Sequence, residues 1–181
     1  YLESNGVSIY KYNKVEEGLK AYSEYNILLD GNETSYYLWK AVRCQEIVQA
    51  SSPIPAMKAV KNEAEIAGYR SAMLKDGVAM VKFLKWLLPA VEAGGETEIS
   101  IDKKLTALRA EQKLFRDISF DTIAGYQAHG AIVHYEATPE TDIPLKPEGL
   151  LLLDSGAQYQ DGTTDITRTI ALGPITEEMK H

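Results

Sequence analysis

At 181 residues and a formal net charge of −7, the chain can bury one sizeable core, or one domain and part of another, and it lacks the clustered Lys and Arg that a nucleic-acid surface needs. Its single cysteine, Cys44, excludes an internal disulfide and a cysteine-based zinc site, is expected to be a buried structural thiol, and fits a reducing, cytoplasmic setting. No apolar run approaches the roughly 18 to 20 residues of a membrane helix, so neither nucleic acid nor a membrane is an expected partner.

Residues 1–52 read as a small α/β piece. Lys14 to Tyr25 carries Val15, Leu19 and Tyr22 on one helical stripe, Asn26 to Leu29 is a short strand, and Asp30-Gly31-Asn32 is a turn. Glu33 to Val42 is helix-compatible, with Tyr36, Tyr37 and Trp39 expected to pack on a neighbouring sheet, and Gln45 to Val48 is a second strand. Ser51-Ser52-Pro53-Ile54-Pro55 continues neither kind of element, so a domain boundary is placed there and residues 53–181 form the second domain.

Asn62 and Glu65 make a capping box for a long helix whose stripe is Ile66, Tyr69, Met73, Met80, Leu84, Leu87 and Leu88, and which Pro89 and Gly94-Gly95 are expected to end. A second helix spans Thr97 to Phe115, with Ile101, Leu105, Leu108 and Leu114 inward. Strands follow at Phe120 to Gly125, Ala131 to Tyr135, Leu150 to Asp154 and Asp165 to Ala171. Helices followed by strands with hairpin-length links predict an α+β fold with helices on one face of an antiparallel sheet. Pro174 to Glu178 looks like a helix start capped by Thr176, and His181 is uninformative.

The chemistry concentrates between Leu150 and Leu172. Four leucines lead into Asp154, and the alternation after Asp165 places Asp165, Thr167 and Thr169 on one face and Ile166, Arg168 and Ile170 on the other. Two carboxylates ending buried strands call for a cation, since an unpaired ion loses several kcal/mol on leaving water. A two-residue turn at Asp161-Gly162 would set Asp154 opposite Thr169, about four residues or roughly 13 Å from Asp165, too far for a shared ion. Sharing therefore requires a kink at Gly156 or an excursion over Ala157 to Thr164; the alternative is that both acids are solvent-facing turn residues. His134, at the end of GAIVHY, reads by itself as a core histidine, and the carboxylate strands after it raise a functional role. Phosphate-loop, dinucleotide and nucleophile-elbow patterns are absent, and Ser155 continues into a hairpin rather than a helix.

The run DSGAQYQDGTTDITRT, with GAIVHY upstream, resembles the aminopeptidase P (Xaa-Pro aminopeptidase) branch of the pita-bread-fold metallopeptidases, of the three-domain kind. The resemblance is strong from about Met57 to Gly173 and weaker over residues 1–50, which fit the tail of the family's middle domain. It implies the N-terminal half of a pita-bread domain and a site with two divalent ions, commonly Mn²⁺, held by two aspartates eleven apart, a histidine and two glutamates. The aspartates fall on Asp154 and Asp165, and the substrate-binding histidine falls on His134. Where the family usually has Pro-Asn before this motif the chain has Ala128-His129, and His129 is not carried over as catalytic.

The resemblance implies metal-assisted removal of the N-terminal residue from peptides with proline second. It also implies an incomplete ligand set here, an inactive fragment, and an exposed apolar face inviting self-association, with a homodimer as the expected state. An Xaa-Pro dipeptidase and a non-catalytic peptide-binding or chaperone module are the alternatives; the retained Asp154 and Asp165 speak against the second.

Overall fold

A computed structural model describes residues 1–180, so His181 lies outside the described residues. The chain divides into two compact units, Tyr1–Val60 and a second beginning at Lys61. The Ser-Pro break thus falls inside the first unit, ahead of a short helix, Ile54–Ala59.

The first unit is a β-α-β turn of chain. After helix α1 (Val15–Leu19), strand β1 (Asn26–Leu29) and strand β2 (Glu46–Gln49) pair in parallel, and α2 (Tyr36–Ala41) crosses between them. Ser35 caps α2 by accepting the Leu38 N–H, which frees the chain to leave the turn as a helix. Two expectations fail here. Tyr36 and Tyr37 are exposed rather than packed on a sheet, and Cys44 is half-buried rather than core, because a two-stranded sheet offers little surface to cover them.

The first unit ends with α3 (Ile54–Ala59); in the second, helix α4 spans Glu63–Ala93 and α5 spans Glu98–Ala110. Each begins in a reciprocal cap: Asn62 with Glu65 as expected, and Thr97 with Ser100. The helices pack on strands β4 (Ile123–Tyr126) and β5 (Leu150–Ser155) through Phe83, Leu87, Ile101, Leu105, Leu151 and Leu153. Burying such a side chain contributes about 1.5–3 kcal/mol.

Pro89 does not end α4. Beyond it Val91 is buried in the same core as Leu87, and that burial offsets the hydrogen bond the proline removes. The buried stripe also differs from the expected one: Ala72, Asp76, Ala79, Met80, Phe83, Leu87 and Val91 face inward, whereas Ile66, Tyr69, Met73 and Leu88 are exposed. Large apolar residues lie on two sides of α4, and the sheet selects the side that includes small residues and Asp76. Helix α5 ends at Ala110, and Leu114, exposed and left-handed at φ 67°, turns the chain into an unanticipated strand β3, Phe115–Ile118.

The remaining strands are β6 (Ala157–Tyr159), β7 (Gly162–Thr163) and β8 (Ile166–Ala171), giving two three-stranded antiparallel sheets, β3-β6-β7 and β4-β5-β8. Residues 131–135 form no strand; Gln127–Ala131 is a 3₁₀ turn and the chain then folds back. Thr176 does cap a final turn, accepting the Met179 N–H.

Candidate metal centre

The central strand β5 sets the site's geometry. Leu151, Leu153 and Ser155 are buried toward the helices, so Leu150, Leu152 and Asp154 point to the other face and are half-buried. Across the ladder Asp154 pairs with Ile123 on one side and Thr167 on the other. The Thr167 hydroxyl donates to Asp154 Oδ1 at 2.7 Å. The other carboxylate oxygen has no protein partner among the described residues.

The register differs from that of a turn at Asp161-Gly162. The two turn residues are Gln160 and Asp161, with Tyr159 opposite Gly162, which moves Asp154 opposite Thr167 instead of Thr169. Asp165 lies just before β8, two residues from Asp154's partner Thr167, where the paired register ends at Ser155 opposite Ile166. It is exposed, and its carboxylate makes no hydrogen bond or ion pair among the described residues.

The break at Gly156 and the excursion over Ala157 to Thr164 both occur. At Gly156 the chain leaves one sheet for the other, and a Cβ there would lie 2.0 Å from the Thr164 carbonyl and 2.2 Å from Ser119 Oγ, so only glycine permits the approach. The excursion from Ala157 to Thr164 is then tied to α4. Asp76, fully buried, accepts from Thr164 Oγ1 at 2.8 Å and from Tyr159 Oη at 3.2 Å. Arg109 holds the same carboxylate with Nε at 2.7 Å and Nη2 at 3.1 Å, an ion pair with both side chains buried. Burial first, and then the Asp76 charge, push the Tyr159 hydroxyl well above its usual range, so it stays a donor. Lys75 bonds both oxygens of Asp161 at the turn, at 2.6 and 2.8 Å, and this holds the Asp161 carboxyl below its ordinary value.

His134 is not at a strand end. It is exposed and left-handed, at φ 55°, a conformation that costs a non-glycine residue about 1–2 kcal/mol. Its loop folds over the carboxylate face: Gly130 lies against Gly125, and a Cβ on Gly130 would sit 3.4 Å from the Leu152 Cβ. The ring of His134 bonds neither aspartate.

Beneath the loop is a cluster the sequence did not signal. Glu98, fully buried at the start of α5, accepts from the Tyr126 N–H at 2.8 Å and from Tyr135 Oη at 2.8 Å, and both its oxygens lie 3.0 Å from His129 Nδ1. The His129 ring packs on Tyr135 at 4.5 Å between centroids. Burial, then Glu98, raise the Tyr135 hydroxyl above its usual range. Glu98 was hidden because an acid in a helix's first turn needs no further explanation. Asp76 was findable: a carboxylate inside an apolar stripe demands a buried cation.

Chemically, Asp154 and Asp165 offer hard, acceptor-only oxygens, the donor type suited to a divalent cation. No group of three or more His, Cys, Asp or Glu side chains able to hold a metal ion occurs among the described residues.

Residues 67–181 match the family model described as metallopeptidase family M24. The chain belongs to this family. Residues 1–65 match the creatinase/prolidase N-terminal domain that precedes the M24 portion. Among its M24 relatives, Xaa-Pro aminopeptidase 1 of Dictyostelium discoideum is 37% identical over 96% of this chain and 28% of that protein. Aminopeptidase P2 of Arabidopsis thaliana is 46% identical over 68% of this chain and 18% of its own length.

Among solved structures, the X-prolyl aminopeptidase of Caenorhabditis elegans, described as a cytosolic enzyme with a di-nuclear active site, superposes with a TM-score of 0.82 at 30% identity, over 98% of this chain and 30% of that one. The prolidase of Pyrococcus furiosus shares the fold, with a TM-score of 0.76 at 22% identity over 96% of this chain and 49% of that one. The chain thus spans 28% and 18% of the length of these two curated relatives. Over the part it spans, the expected α+β arrangement of a pita-bread fold holds. No helix among the described residues is long and apolar enough to cross a membrane.

Proposed function

We propose that the protein of which this chain is part is a metal-dependent Xaa-Pro aminopeptidase, releasing the N-terminal residue from peptides with proline in second position. The observation that carries the reading is Asp154 on β5, bonded by Thr167, with Asp165 just before β8, in an M24 chain whose relatives, 35 to 41% identical, bear that name. Asp154 and Asp165 are the residues that would hold two divalent ions, with Mn²⁺ matching their hard oxygens. Such ions supply Lewis-acid activation of the attacking water and of the scissile carbonyl.

The chain's own groups do the rest. Thr167 occupies one lone pair of Asp154 Oδ1 and so fixes that carboxylate's orientation. His134, on a loop lying over Leu152, presents its ring to a peptide substrate as a hydrogen-bonding group. The same reading makes the enzyme cytoplasmic and homodimeric; the exposed Leu74 and Val81 on α4 support association through an apolar face.

Full-length protein assayed on tripeptides of Xaa-Pro-Xaa form is expected to release the first residue. Chelation should stop the reaction, Mn²⁺ should restore it, and D154N or D165N should abolish it. Cleavage confined to Xaa-Pro dipeptides would instead make it a prolidase, and binding without hydrolysis would make it a peptide-binding module. Residues 1–181 alone are expected to hydrolyse nothing, because two carboxylates do not hold a dinuclear centre.

A further inference from the structure

We infer that Glu98, acting through His129 and Tyr135, is the positioning residue of the His134 loop; the inference rests on the reading of His134 as the group that meets substrate. The loop leaves β4 at Tyr126 and regains the interior at Tyr135, and both ends are tied to one buried carboxylate. The Tyr126 N–H binds Glu98 Oε1, the Tyr135 hydroxyl binds Oε2, and the His129 ring bridges both oxygens between them. The Tyr126 N–H and the Tyr135 hydroxyl donate to the fully buried Glu98, and in this inference the carboxylate accepts from His129 Nδ1–H as well.

Between these ties, Ile132, Val133 and His134 are exposed. Gln127 and His134 are both left-handed, at φ 50° and 55°. Strained backbone of this kind persists only where the surroundings over-determine it; near His134 the Tyr135 N–H bonds the Ile132 carbonyl at 3.2 Å, and the Tyr135–Glu98 bond, with the His129 ring against Tyr135, anchors that turn to the interior. Glu98 itself is immobile: it sits in the first turn of α5, where the helix dipole favours its charge, and its own N–H is bonded to the Ile143 carbonyl at 3.3 Å. The helix is therefore the fixed body, the carboxylate the clamp, and His134 the group held out on the exposed part of the loop.

The geometry assigns a requirement to His129: its Nδ1–H must be a donor, and any side chain that donates from that point serves. The test uses the full-length protein with Xaa-Pro substrates. H129L and Y135F are expected to lower kcat on the order of 10- to 100-fold, with KM, metal content and melting temperature nearly unchanged, since a misplaced contacting group loses rate rather than fold. H129N, whose amide can donate to Glu98, is expected to recover most of the loss. Because the effect passes through His134, H129L/H134A should be no slower than H134A alone.

Multiplicative losses in the double variant, or full activity in H129L, would overturn the inference. If H134A were as fast as wild type, the role given to His134 would fall instead. NMR keeps the two apart: the backbone couplings of His134 should report a positive φ in wild type and lose it in H129L, and retention of that φ in H129L would sink the positioning role whatever the activity.

Discussion

Thr167 and Asp154 face each other across the β5–β8 ladder, and the threonine hydroxyl donates to Asp154 Oδ1 at 2.7 Å. This bond selects one orientation of the carboxylate. T167V in the full-length protein is expected to weaken Mn²⁺ binding on the order of tenfold, the usual scale for an outer partner of a ligand, while leaving stability almost unchanged because Thr167 is exposed. Calorimetric titration of the metal-free protein checks this, and equal affinity in T167V would remove the orienting role.

Gly156 is where the chain changes sheets, with the Thr164 carbonyl in the space a Cβ would fill. G156A should therefore destabilise the second unit by about 3 kcal/mol or more, beyond ordinary overpacking because the obstruction is backbone. Partial relief by moving Thr164 would also shift Asp165. The expected result is reduced metal binding even under conditions where the fold persists, read by circular dichroism alongside the titration.

The Asp76–Arg109 pair ties β6 and β7 to α4. D76N leaves the guanidinium buried without a counter-charge, and Arg109 Nη1 already lacks a hydrogen-bond partner. A loss of about 3–5 kcal/mol is expected. Removing both charges in D76L/R109M should cost well under the sum of the single changes, because no uncompensated ion remains. Urea unfolding followed by Trp86 fluorescence in a W39F background measures each variant.

At the turn, Lys75 holds the Asp161 carboxyl below its ordinary value near 3.8. A depressed folded-state value means that the contribution is present above pH 3.8 and is lost as the pH falls through the lower folded value. With both side chains only partly shielded, the effect is about 1 kcal/mol after allowing for solvent screening. K75M should flatten the stability profile below about pH 4 by that amount; identical acid profiles for K75M and wild type would count against the pair.

Local chemistry was legible wherever a short segment decides its own conformation. The cap at Asn62, the strand Asn26–Leu29 and the inward Ile101, Leu105 and Leu108 of α5 were read correctly, since caps and periodicity act over one or two turns. The motif around Asp154 and Asp165 led to the family for the same reason: its residues are contiguous. The loop around His134 was misread as a strand because GAIVHY has strand composition, whereas what shapes it is a carboxylate thirty-six residues upstream. Pro89 and the α4 stripe failed likewise: which side of an apolar helix is buried depends on what packs against it.

The sequence by itself determined that two aspartates eleven apart stand at strand ends with a polar face between them. Composition and alternation are properties of the chain, and no packing is needed to read them. Only the tertiary structure decided that the turn is Gln160-Asp161, which sets Asp154 opposite Thr167 rather than Thr169. The physical reason is that register is chosen by contacts remote in sequence: Tyr159 and Thr164 bonded to Asp76, and Gly156 pressed against the Thr164 carbonyl.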